Sequence, residues 1–348
     1  MREYVSPTIY SISRLAKVST ATVSRAMNAH TRAKVAPRTY RRVMGCARRY
    51  GYTPNVAARV LGGAAVKTLG AVFSHFPGLF AAHYHIQLLA GIADALLDSD
   101  YHFKLVLLKS APERWDRYDF KNGEGVDGLI VTHWRTFFSE ASVLSRLRIP
   151  CVVINDPEPN LPAHCVSADH VNGGALAAQH LLSRGHRRLA VLTGPRDSVD
   201  SQLRLRGFRQ FLKRQDHSVE LTIQGAEFSQ TRARAVVRTM LRARRDMTGL
   251  FCCNDDMALG ALEALHDLGL SCPKDVSIIG YDGDVRTEAS DPPLTTIHMP
   301  LYAMAQEAVA RLLRHLQTQT ENHVLYGQTV HPVELIERRS VQPIRHTA

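Results

Sequence analysis

Residues 8–28 read TIYSISRLAKVSTATVSRAMN, and this stretch decides the fold of the N-terminal part of the chain. It holds two short segments with apolar residues at helical spacing, separated by a brief turn. Thr8 and Ser19 are residue types that cap a helix N-terminus, so we expect helices at 8–17 and 20–28. Two short helices joined in this way are typical of a helix-turn-helix, whose second helix lies in the DNA major groove.

A third helix is expected directly after this pair. Pro37 suits the first turn of a helix that covers about 38–50, and Gly51 followed by Pro54 ends it. A Gly-Gly-Ala-Ala joint at 62–65 then separates this small unit from the rest of the chain. The N-terminal unit is thus predicted to be a three-helix domain.

The charge of the chain is concentrated in this first segment. Of the 43 Lys/Arg and 32 Asp/Glu residues, thirteen cations and one acid lie in residues 1–68, which therefore carry +12, while the other 280 residues carry −1. A compact basic segment binds a polyanion, either nucleic acid or an acidic membrane surface. The sequence has no apolar run of about 18 residues and no signal peptide pattern, so we expect DNA and no membrane.

The start of the second helix holds the candidates for reading bases. Thr20, Ala21 and, one turn later, Arg25 can reach base edges, and Arg25 could pair with a guanine, which is worth about 1–3 kcal/mol of discrimination. Phosphate contacts set affinity and register, and their candidates are Ser19, Thr22, Ser24 and the basic third helix. The alternative is an ordinary small helical domain with a solvated basic surface.

From residue 69 the sequence alternates strand-like apolar runs with helical patterns. The first series has expected strands at 69–73, 103–108, 128–132 and 150–155, a helix at 86–97 and a weakly periodic crossover helix at 112–125. A second series of the same kind starts near residue 171 and continues to the C-terminal region. Such alternation implies an α/β fold with two doubly wound lobes, whose ligands bind in a cleft at the carboxyl ends of the strands.

The sequence lacks the motifs of the main alternative classes. It has no GxGxxG at a strand-to-helix turn and no phosphate loop, GxSxG or HExxH pattern, so no enzyme, catalytic residue or cofactor is expected. The six cysteines show no CxxC pairing and are expected to be reduced, buried thiols in the cytoplasm. His83 and His85 are the only close histidine pair, so no metal site is predicted. A secreted sugar-binding protein would share the two lobes but not the basic N-terminal unit.

The motifs of the chain, taken in order, resemble those of the lactose-repressor (LacI/GalR) family. The likeness begins with 8–28 and Gly51-Tyr-x-Pro-Asn55 and covers essentially the whole chain. Its further motifs are Val126-Asp-Gly-Leu-Ile130, Gly185-His-Arg-Arg188, Arg204-x-x-Gly-Phe208, Asn254-Asp-x-Met-Ala-Leu-Gly260, Asp275-Val-Ser-Ile-Ile-Gly-Tyr-Asp282, Pro293-Leu-Thr-Thr296 and Glu334-Leu-x-x-Arg338.

The resemblance implies a helix-turn-helix DNA-binding domain, a hinge helix and an effector-binding and dimerisation domain of the periplasmic-binding-protein type. Their expected ranges are 1–54, 55–68 and 69–345, with lobe one at about 69–167 and 297–328 and lobe two at about 168–296 and 329–345. A homodimer would bind a pseudo-palindromic operator, with Leu61 wedged into the minor groove. The further DNA-contact candidates are Tyr10, Asn28 and Asn55.

The resemblance also implies effector contacts in the cleft. Arg204, Asn254 and Asp282 match family positions that bind the effector, and Phe228 matches an aromatic residue that covers it. Alternatives remain open: Asn254 and Asp282 could cap the following helices, Arg204 could be a surface cation, and Phe228 could be core. In the first lobe the candidates are Ser74, His75 and Asn155.

The chain departs from the family pattern at a few positions. Lys17 replaces the usual glycine in the turn of the motif, and Ser11 and Asn155 stand where acids are common. Two extra residues lie within 30–34, and the loop at 76–85 is atypical.

The function that the resemblance implies is a transcription regulator, a repressor, controlled allosterically by a sugar or sugar derivative. A nucleobase or other corepressor, or activation of transcription, is the alternative.

Overall fold

The structure is a computed structural model of the chain. It describes residues 7–27, 31–52, 66–74, 79–108, 120, 125–136, 141–147, 149–215, 218–244, 246–318 and 324–344. The chain forms two compact units, Met1–Val66 and Lys67–Ala348. Among the described residues, no helix combines the length and apolar character needed to cross a membrane.

The N-terminal unit contains the three predicted helices. These are α1 (Ile9–Leu15), α2 (Thr20–Met27) and α3 (Pro37–Tyr50), with a 3-10 turn at Arg32–Lys34. Their shared core consists of Ile12, Ala16, Val23, Ala26 and Val43. The spacing of Ile9, Ile12, Leu15 and Ala16 predicts one buried face on α1, but Leu15, the last residue of the helix, is 46% exposed. Helix α3 ends at Gly51 with a φ of +66°, a left-handed conformation that suits glycine.

Ser11 stands in place of the acid that is usual near the start of α1 and caps the helix. The Ser11 backbone N–H donates to Thr8 Oγ1 at 3.2 Å, and the Thr8 backbone N–H donates to Ser11 Oγ at 2.8 Å. This reciprocal pair is a capping box, in which two backbone donors at the helix start are satisfied together. The departure from the family pattern at Ser11 therefore preserves the cap.

The larger unit contains two six-stranded sheets. The first sheet is wholly parallel, in the order β11-β5-β4-β3-β1-β2. Its strands are β1 (Thr68–Ser74), β2 (His102–Leu108), β3 (Gly128–Thr132), β4 (Cys151–Ile154), β5 (His164–Ala168) and β11 (Gly327–His331). Strands β1 to β4 match the four strands predicted for the first series. His164 and Ser167 interrupt the apolar run of β5, and its burial between β4 and β11 depends on tertiary pairing.

The second sheet has the order β12-β10-β9-β8-β6-β7, and only β12 runs antiparallel to its neighbour. Its strands are β6 (Arg188–Thr193), β7 (Glu220–Gly225), β8 (Gly249–Cys252), β9 (Ser277–Asp282), β10 (Thr295–His298) and β12 (Glu334–Ile336). The expected α/β class with two doubly wound lobes is thereby confirmed.

Helices pack on both sheets. They are α4 (His83–Leu96), α5 (Ser142–Arg146), α6 (His170–Ser183), α7 (Val199–Arg214), α8 (Gln230–Ala243), α9 (Asp255–Asp267), α10 (Val285–Glu288) and α11 (Leu301–Gln317). Helix α11 follows β10 of the second sheet but packs on the first, where its Leu312 side chain lies against Gly128. The chain thus crosses between the lobes after β5, β10 and β11, and the predicted lobe boundary at 328 lies inside β11. Most of the crossover helix predicted at 112–125 lies outside the described residues.

Two glycines let α6 and α7 touch backbone to backbone. A Cβ added at Gly207 would overlap the Val171 carbonyl oxygen, and one added at Gly174 would overlap the Arg204 carbonyl oxygen. Glycine is therefore required at both positions by the close approach of the two helices. This explains the glycine of the Arg-x-x-Gly-Phe motif and ties Arg204 on α7 to the start of α6.

His186, in the Gly-His-Arg-Arg motif, is buried between α6 and the C-terminal segment. Its Nε2 lies 3.1 Å from the Gln342 carbonyl oxygen, and its Nδ1 lies 3.1 Å from Thr248 Oγ1. Only 1% of the residue is exposed, and burial lowers the pKa of His186 from its ordinary 6.5 to about 4. The folded protein therefore holds this imidazole in the neutral form at neutral pH.

We expect His186 to contribute to acid sensitivity. Because folding lowers the pKa of His186, its contribution to the free energy of unfolding is fully present above pH 6.5. This contribution is lost as the pH falls from 6.5 toward 4, since over that range the unfolded chain binds a proton that the folded protein does not. The loss is about 3 kcal/mol at most. Thermal melts of His186→Gln should vary less with pH between 6.5 and 4.5 than those of the wild type. The exposed His102, changed to Gln, is the matched control, and equal pH dependence in both variants would contradict the assignment.

Candidate functional site

The exposed face of α2 presents the residues predicted to read DNA. Ala21, Ser24 and Arg25 are exposed, whereas Val23 and Ala26 on the opposite face are buried in the core of the unit. The helix therefore offers a short side chain and a cation one turn apart on its outer surface. This is the geometry that a recognition helix needs to bring a guanidinium to a base edge.

Two of the predicted phosphate contacts also hold α2 in place. Ser19 Oγ accepts a hydrogen bond from the Thr22 backbone N–H at 3.2 Å and lies 2.9 Å from Thr22 Oγ1. Ser19 is thus the cap of α2, as predicted, and Thr20 is half-buried beside it. Tyr10, on α1, is 67% exposed. The other predicted DNA contacts, Asn28, Asn55 and Leu61, lie outside the described residues.

The surface of this unit is uniformly basic. Residues 7–52 contain ten Lys/Arg residues and no acid, and all ten of these cations are exposed. They are Arg14, Lys17, Arg25, Arg32, Lys34, Arg38, Arg41, Arg42, Arg48 and Arg49. A surface of this kind attracts phosphates without preference for sequence.

Lys17 lies in the turn between α1 and α2 and has a left-handed backbone, with a φ of +51°. Its backbone N–H donates to the Arg14 carbonyl at 3.1 Å, so the turn is closed by a hydrogen bond despite the unusual residue. A side chain in this conformation costs roughly 1–2 kcal/mol. The chain therefore retains strain at the position where the family usually has glycine.

We predict that Lys17→Gly stabilises the N-terminal unit by about 0.5–1 kcal/mol, because relief of strain exceeds the added entropy of the unfolded glycine. The measurement is hydrogen-exchange protection of α1 and α2 amides in the full chain. Lys34→Gly, at an exposed position with negative φ, is the control and should reduce protection. Equal effects of the two substitutions would show that Lys17 is unstrained.

Arg204 is buried at the centre of the second-lobe site. It is 3% exposed, and its Nη1 donates to the Cys253 carbonyl at the end of β8. Its guanidinium carbon lies 3.8 Å from the centroid of the Tyr281 ring, and Nη1 lies 3.6 Å from Asp282 Oδ1. The alternative that Arg204 is a surface cation is therefore wrong.

Asp282 ends β9 and faces Arg204. Burial raises the pKa of its carboxyl group to about 7, although the charge of Arg204 acts in the opposite direction. Asp282 does not cap the next helix, because Asp284 does so by accepting from the Arg286 backbone N–H at 2.8 Å. The Asp282 carboxyl group is thus free of a capping role and faces the Arg204 guanidinium.

Asp255 holds the loop that follows Asp282. One carboxylate oxygen of Asp255 accepts from the backbone N–H groups of Gly283 and Asp284, at 2.9 and 2.8 Å. The other accepts from Thr296 Oγ1 at 2.7 Å. These three hydrogen bonds fix the path of the chain just beyond Asp282 and so help to orient its side chain.

Asn254 has the capping role that was left open for it. Its Oδ1 accepts from the Met257 backbone N–H at 3.0 Å, which caps α9, and its Nδ2 donates to the Phe228 carbonyl at 3.4 Å. Phe228 has a φ of +55°, and its ring occupies the space that a side chain at Gly194 would fill. The Phe228 ring centroid lies 6.0 Å from the guanidinium carbon of Arg204. Asn254 therefore supports the aromatic residue that lies over Arg204.

The first lobe reaches the same site through Asn155, which is fully buried at the end of β4. Its Nδ2 donates to the Tyr84 hydroxyl at 2.9 Å, and its Oδ1 lies 3.3 Å from Nε2 of His170 in the second lobe. Ser74 is half-buried at the end of β1. His75 lies outside the described residues. Of the first-lobe predictions, the structure thus brings Asn155 into direct contact with the opposite lobe.

Sequence reasoning missed His170, the first residue of α6, which is 1% exposed at the centre of the cleft. Arg204 Nε donates to His170 Nδ1 at 3.3 Å. Because an arginine nitrogen can only donate, Nδ1 accepts and the ring proton lies on Nε2. That proton faces Asp200 Oδ1 at 3.2 Å. Had β5 been recognised, the carboxyl-end rule would have pointed to His170, which follows it by two residues.

Asp200 was also missed, although it lies one helical turn before Arg204 on α7. Burial raises the pKa of Asp200, but the His170 ring that faces it, together with His133 and Arg204, outweighs that effect and holds the pKa below its usual range. Its Oδ1 accepts from the backbone N–H of Asp156 in the first lobe at 3.1 Å. An ionised second-lobe carboxylate therefore makes a direct hydrogen bond to the first lobe.

The fold and these two surfaces define a class of protein: a DNA-binding helix-turn-helix unit attached to a two-lobed small-molecule sensor. Residues 8–55 match the lacI family of bacterial regulatory proteins, and residues 178–341 match the periplasmic binding protein-like domain. The HTH-type transcriptional regulator CelR of Thermobifida fusca is 30% identical over 261 residues, 74% of each chain. The repressor CytR of Escherichia coli is 33% identical over 220 residues, 63% of this chain and 64% of its own.

Solved structures agree with this assignment. The lac repressor dimer bound to operator and the anti-inducer ONPF superposes with a TM-score of 0.81 at 26% identity, covering 97% of this chain and all of that one. The CelR–cellobiose complex has a TM-score of 0.70 at 27% identity, covering 96% and 99%. The chain belongs to the lacI family of bacterial transcription regulators, and its relatives are regulators rather than enzymes.

Proposed function

We propose that the protein is a homodimeric repressor that binds a pseudo-palindromic operator and changes its operator affinity when a small molecule binds between the two lobes. The observation that carries this proposal is the buried group of Arg204, Asp282 and His170, which Asn155 meets from the opposite lobe. Charged and polar side chains that converge between two lobes are typical of a ligand site. The basic helical unit supplies the DNA contacts, with Arg25 as the base reader.

The proposed effector is a sugar or sugar derivative. The Arg204 guanidinium, the Asp282 carboxyl group and the Asn155 amide offer donors and acceptors for hydroxyl groups, and Phe228 supplies an apolar face. The CelR relative was solved with cellobiose, which is a ligand of this kind. A nucleobase or other corepressor, or activation of transcription, stays the alternative.

We assign the DNA-binding domain to 1–54, the hinge to 55–68 and the effector domain to 69–345, with the chain crossing between the lobes after β5, β10 and β11. As a bacterial transcription regulator the protein acts in the cytoplasm, and we propose that it joins the nucleoid when it binds operator. Contacts between the lobes are the switch: an effector that alters the Asp156–Asp200 and Asn155–His170 contacts changes lobe closure. Coupling between two such sites is typically about 1–3 kcal/mol, and it is reciprocal.

We predict that Arg25→Ala weakens specific operator binding by roughly 10- to 100-fold while non-specific DNA binding changes little, since a base contact is lost. Arg48→Ala, an exposed cation on α3, is the control and should weaken both kinds of binding together. The measurement is a salt-titrated binding assay on operator and scrambled DNA. Parallel losses for Arg25→Ala would make Arg25 a phosphate contact, and a shallow salt slope for the wild type would argue against a phosphate-binding surface.

We predict that Arg204→Lys abolishes the effector response but retains operator binding, because a lysine cannot reproduce the planar fork. A thermal-shift screen of sugars, sugar acids and nucleobases first identifies the effector, since a ligand that binds the folded state raises its stability. Arg206→Lys, an exposed cation on the same helix, is the matched control. A thermal shift in Arg204→Lys equal to that of the wild type would remove Arg204 from the site.

A further inference from the structure

Three side chains of types that bind metal ions meet at the edge of the cleft. His133 follows β3, Asp156 lies two residues beyond β4, and Asp200 lies in the first turn of α7. One possible ligand atom from each lies within 4.8 Å of the other two, and His133 Nδ1 is 3.7 Å from Asp156 Oδ2. The sequence predicts no metal site because these residues are far apart along the chain and only the fold brings them together.

The two carboxylates of this cluster are removed from water. Asp156 is 3% and Asp200 is 2% exposed, while His133 is half-buried. Exposed acidic clusters are common on protein surfaces, but two buried carboxylates from different lobes that face one imidazole form a different environment. Buried charges are paired or coordinate metals, and this set of ligands can do either.

The surroundings orient the proposed ligands. Trp134 Nε1 donates to the Asp156 carbonyl at 2.8 Å, which fixes the backbone of that residue. The His133 ring lies over Tyr84, with 5.0 Å between the ring centroids. His170 Nε2 and the Asp156 backbone N–H both contact Asp200 Oδ1, so Oδ2 is the oxygen that we assign to a metal. Hydrogen bonds of this kind hold metal ligands in position and tune their basicity.

We propose that His133, Asp156 and Asp200 bind one divalent first-row transition-metal ion that joins the two lobes. One imidazole nitrogen and two carboxylate oxygens suit Zn²⁺ and the neighbouring first-row transition-metal ions, whereas Ca²⁺ takes six to eight oxygens. Ligand bonds of about 2.0–2.2 Å would draw the three side chains together. Because His133 and Asp156 belong to the first lobe and Asp200 to the second, the ion favours lobe closure.

The regulatory consequence rests on the proposed function, because closure matters only if the cleft controls operator affinity. Metal binding itself does not rest on it and is measured without DNA. If zinc fails to bind while an organic effector still shifts the melting temperature, the protein has no such metal site and the proposed function stands. If zinc binds as described while no organic molecule and no metal changes operator affinity, the proposed function falls and the metal site stands.

The experiment is calorimetric titration of ZnCl₂ into the full-length protein after treatment with a chelator, with CaCl₂ as the comparison. We expect one Zn²⁺ per chain and no comparable signal with Ca²⁺. His133→Gln and Asp200→Asn should each weaken zinc binding by about tenfold or more. Because one residue comes from each lobe, loss in both variants also establishes that the ion bridges the lobes. His102→Gln, a substitution at an exposed first-lobe histidine, should bind as the wild type does.

Circular dichroism melts without metal check that the variants fold. If Asp200→Asn is unfolded, the test uses His133→Gln, a substitution at a half-buried loop position, with His102→Gln as its control. Absence of saturable zinc binding to the wild type, or equal zinc affinity in His133→Gln and the wild type, would overturn the proposal. In that case the cluster is an ion pair that joins the lobes without a metal.

Discussion

A buried guanidinium is the constraint on which the sensor unit depends. Arginine keeps its charge under all ordinary conditions, so the groups around Arg204 must satisfy it. They do so through the Cys253 carbonyl, the Asp282 carboxylate and the Tyr281 ring. These partners lie at the ends of β8 and β9, so one cation fixes the relative position of a helix and two strands. The other residues of the cleft are arranged around Arg204.

The same cation sets the direction of the hydrogen bonds between the lobes. Because Arg204 Nε must donate, His170 accepts at Nδ1 and donates from Nε2 toward Asp200 and Asn155. Asp200 in turn accepts from the backbone of Asp156. The hydrogen-bond direction of a second-lobe histidine is therefore set by a neighbour in its own lobe, and its Nε2 faces Asn155 of the opposite lobe. A ligand that displaces any of these partners changes the contact between lobes.

The sequence predicted the architecture well because its motifs are local. The caps at Thr8 and Ser19 and the glycine at 51 mark helix ends by their own chemistry, and the alternation of strands and helices follows from burial. The cleft was predicted only in part. Arg204 and Asp282 match family positions, whereas His170 was hidden because β5 carries polar residues and was not recognised. The meeting of His133, Asp156 and Asp200 depends on two loops and the first turn of α7 and has no sequence signal.

The backbone contact between α6 and α7 has a consequence for how the binding specificity of such a sensor can change. Gly174 and Gly207 leave no space between the two helices, so His170 and Arg204 behave as parts of one rigid body. A side chain added at either glycine would push the helices apart and disturb the packing of the lobe. Asn155, which follows β4 in the first lobe, lies outside this pair of helices. New ligand preferences can therefore arise by substitution at such first-lobe positions, while the α6–α7 wall of the second lobe stays unchanged.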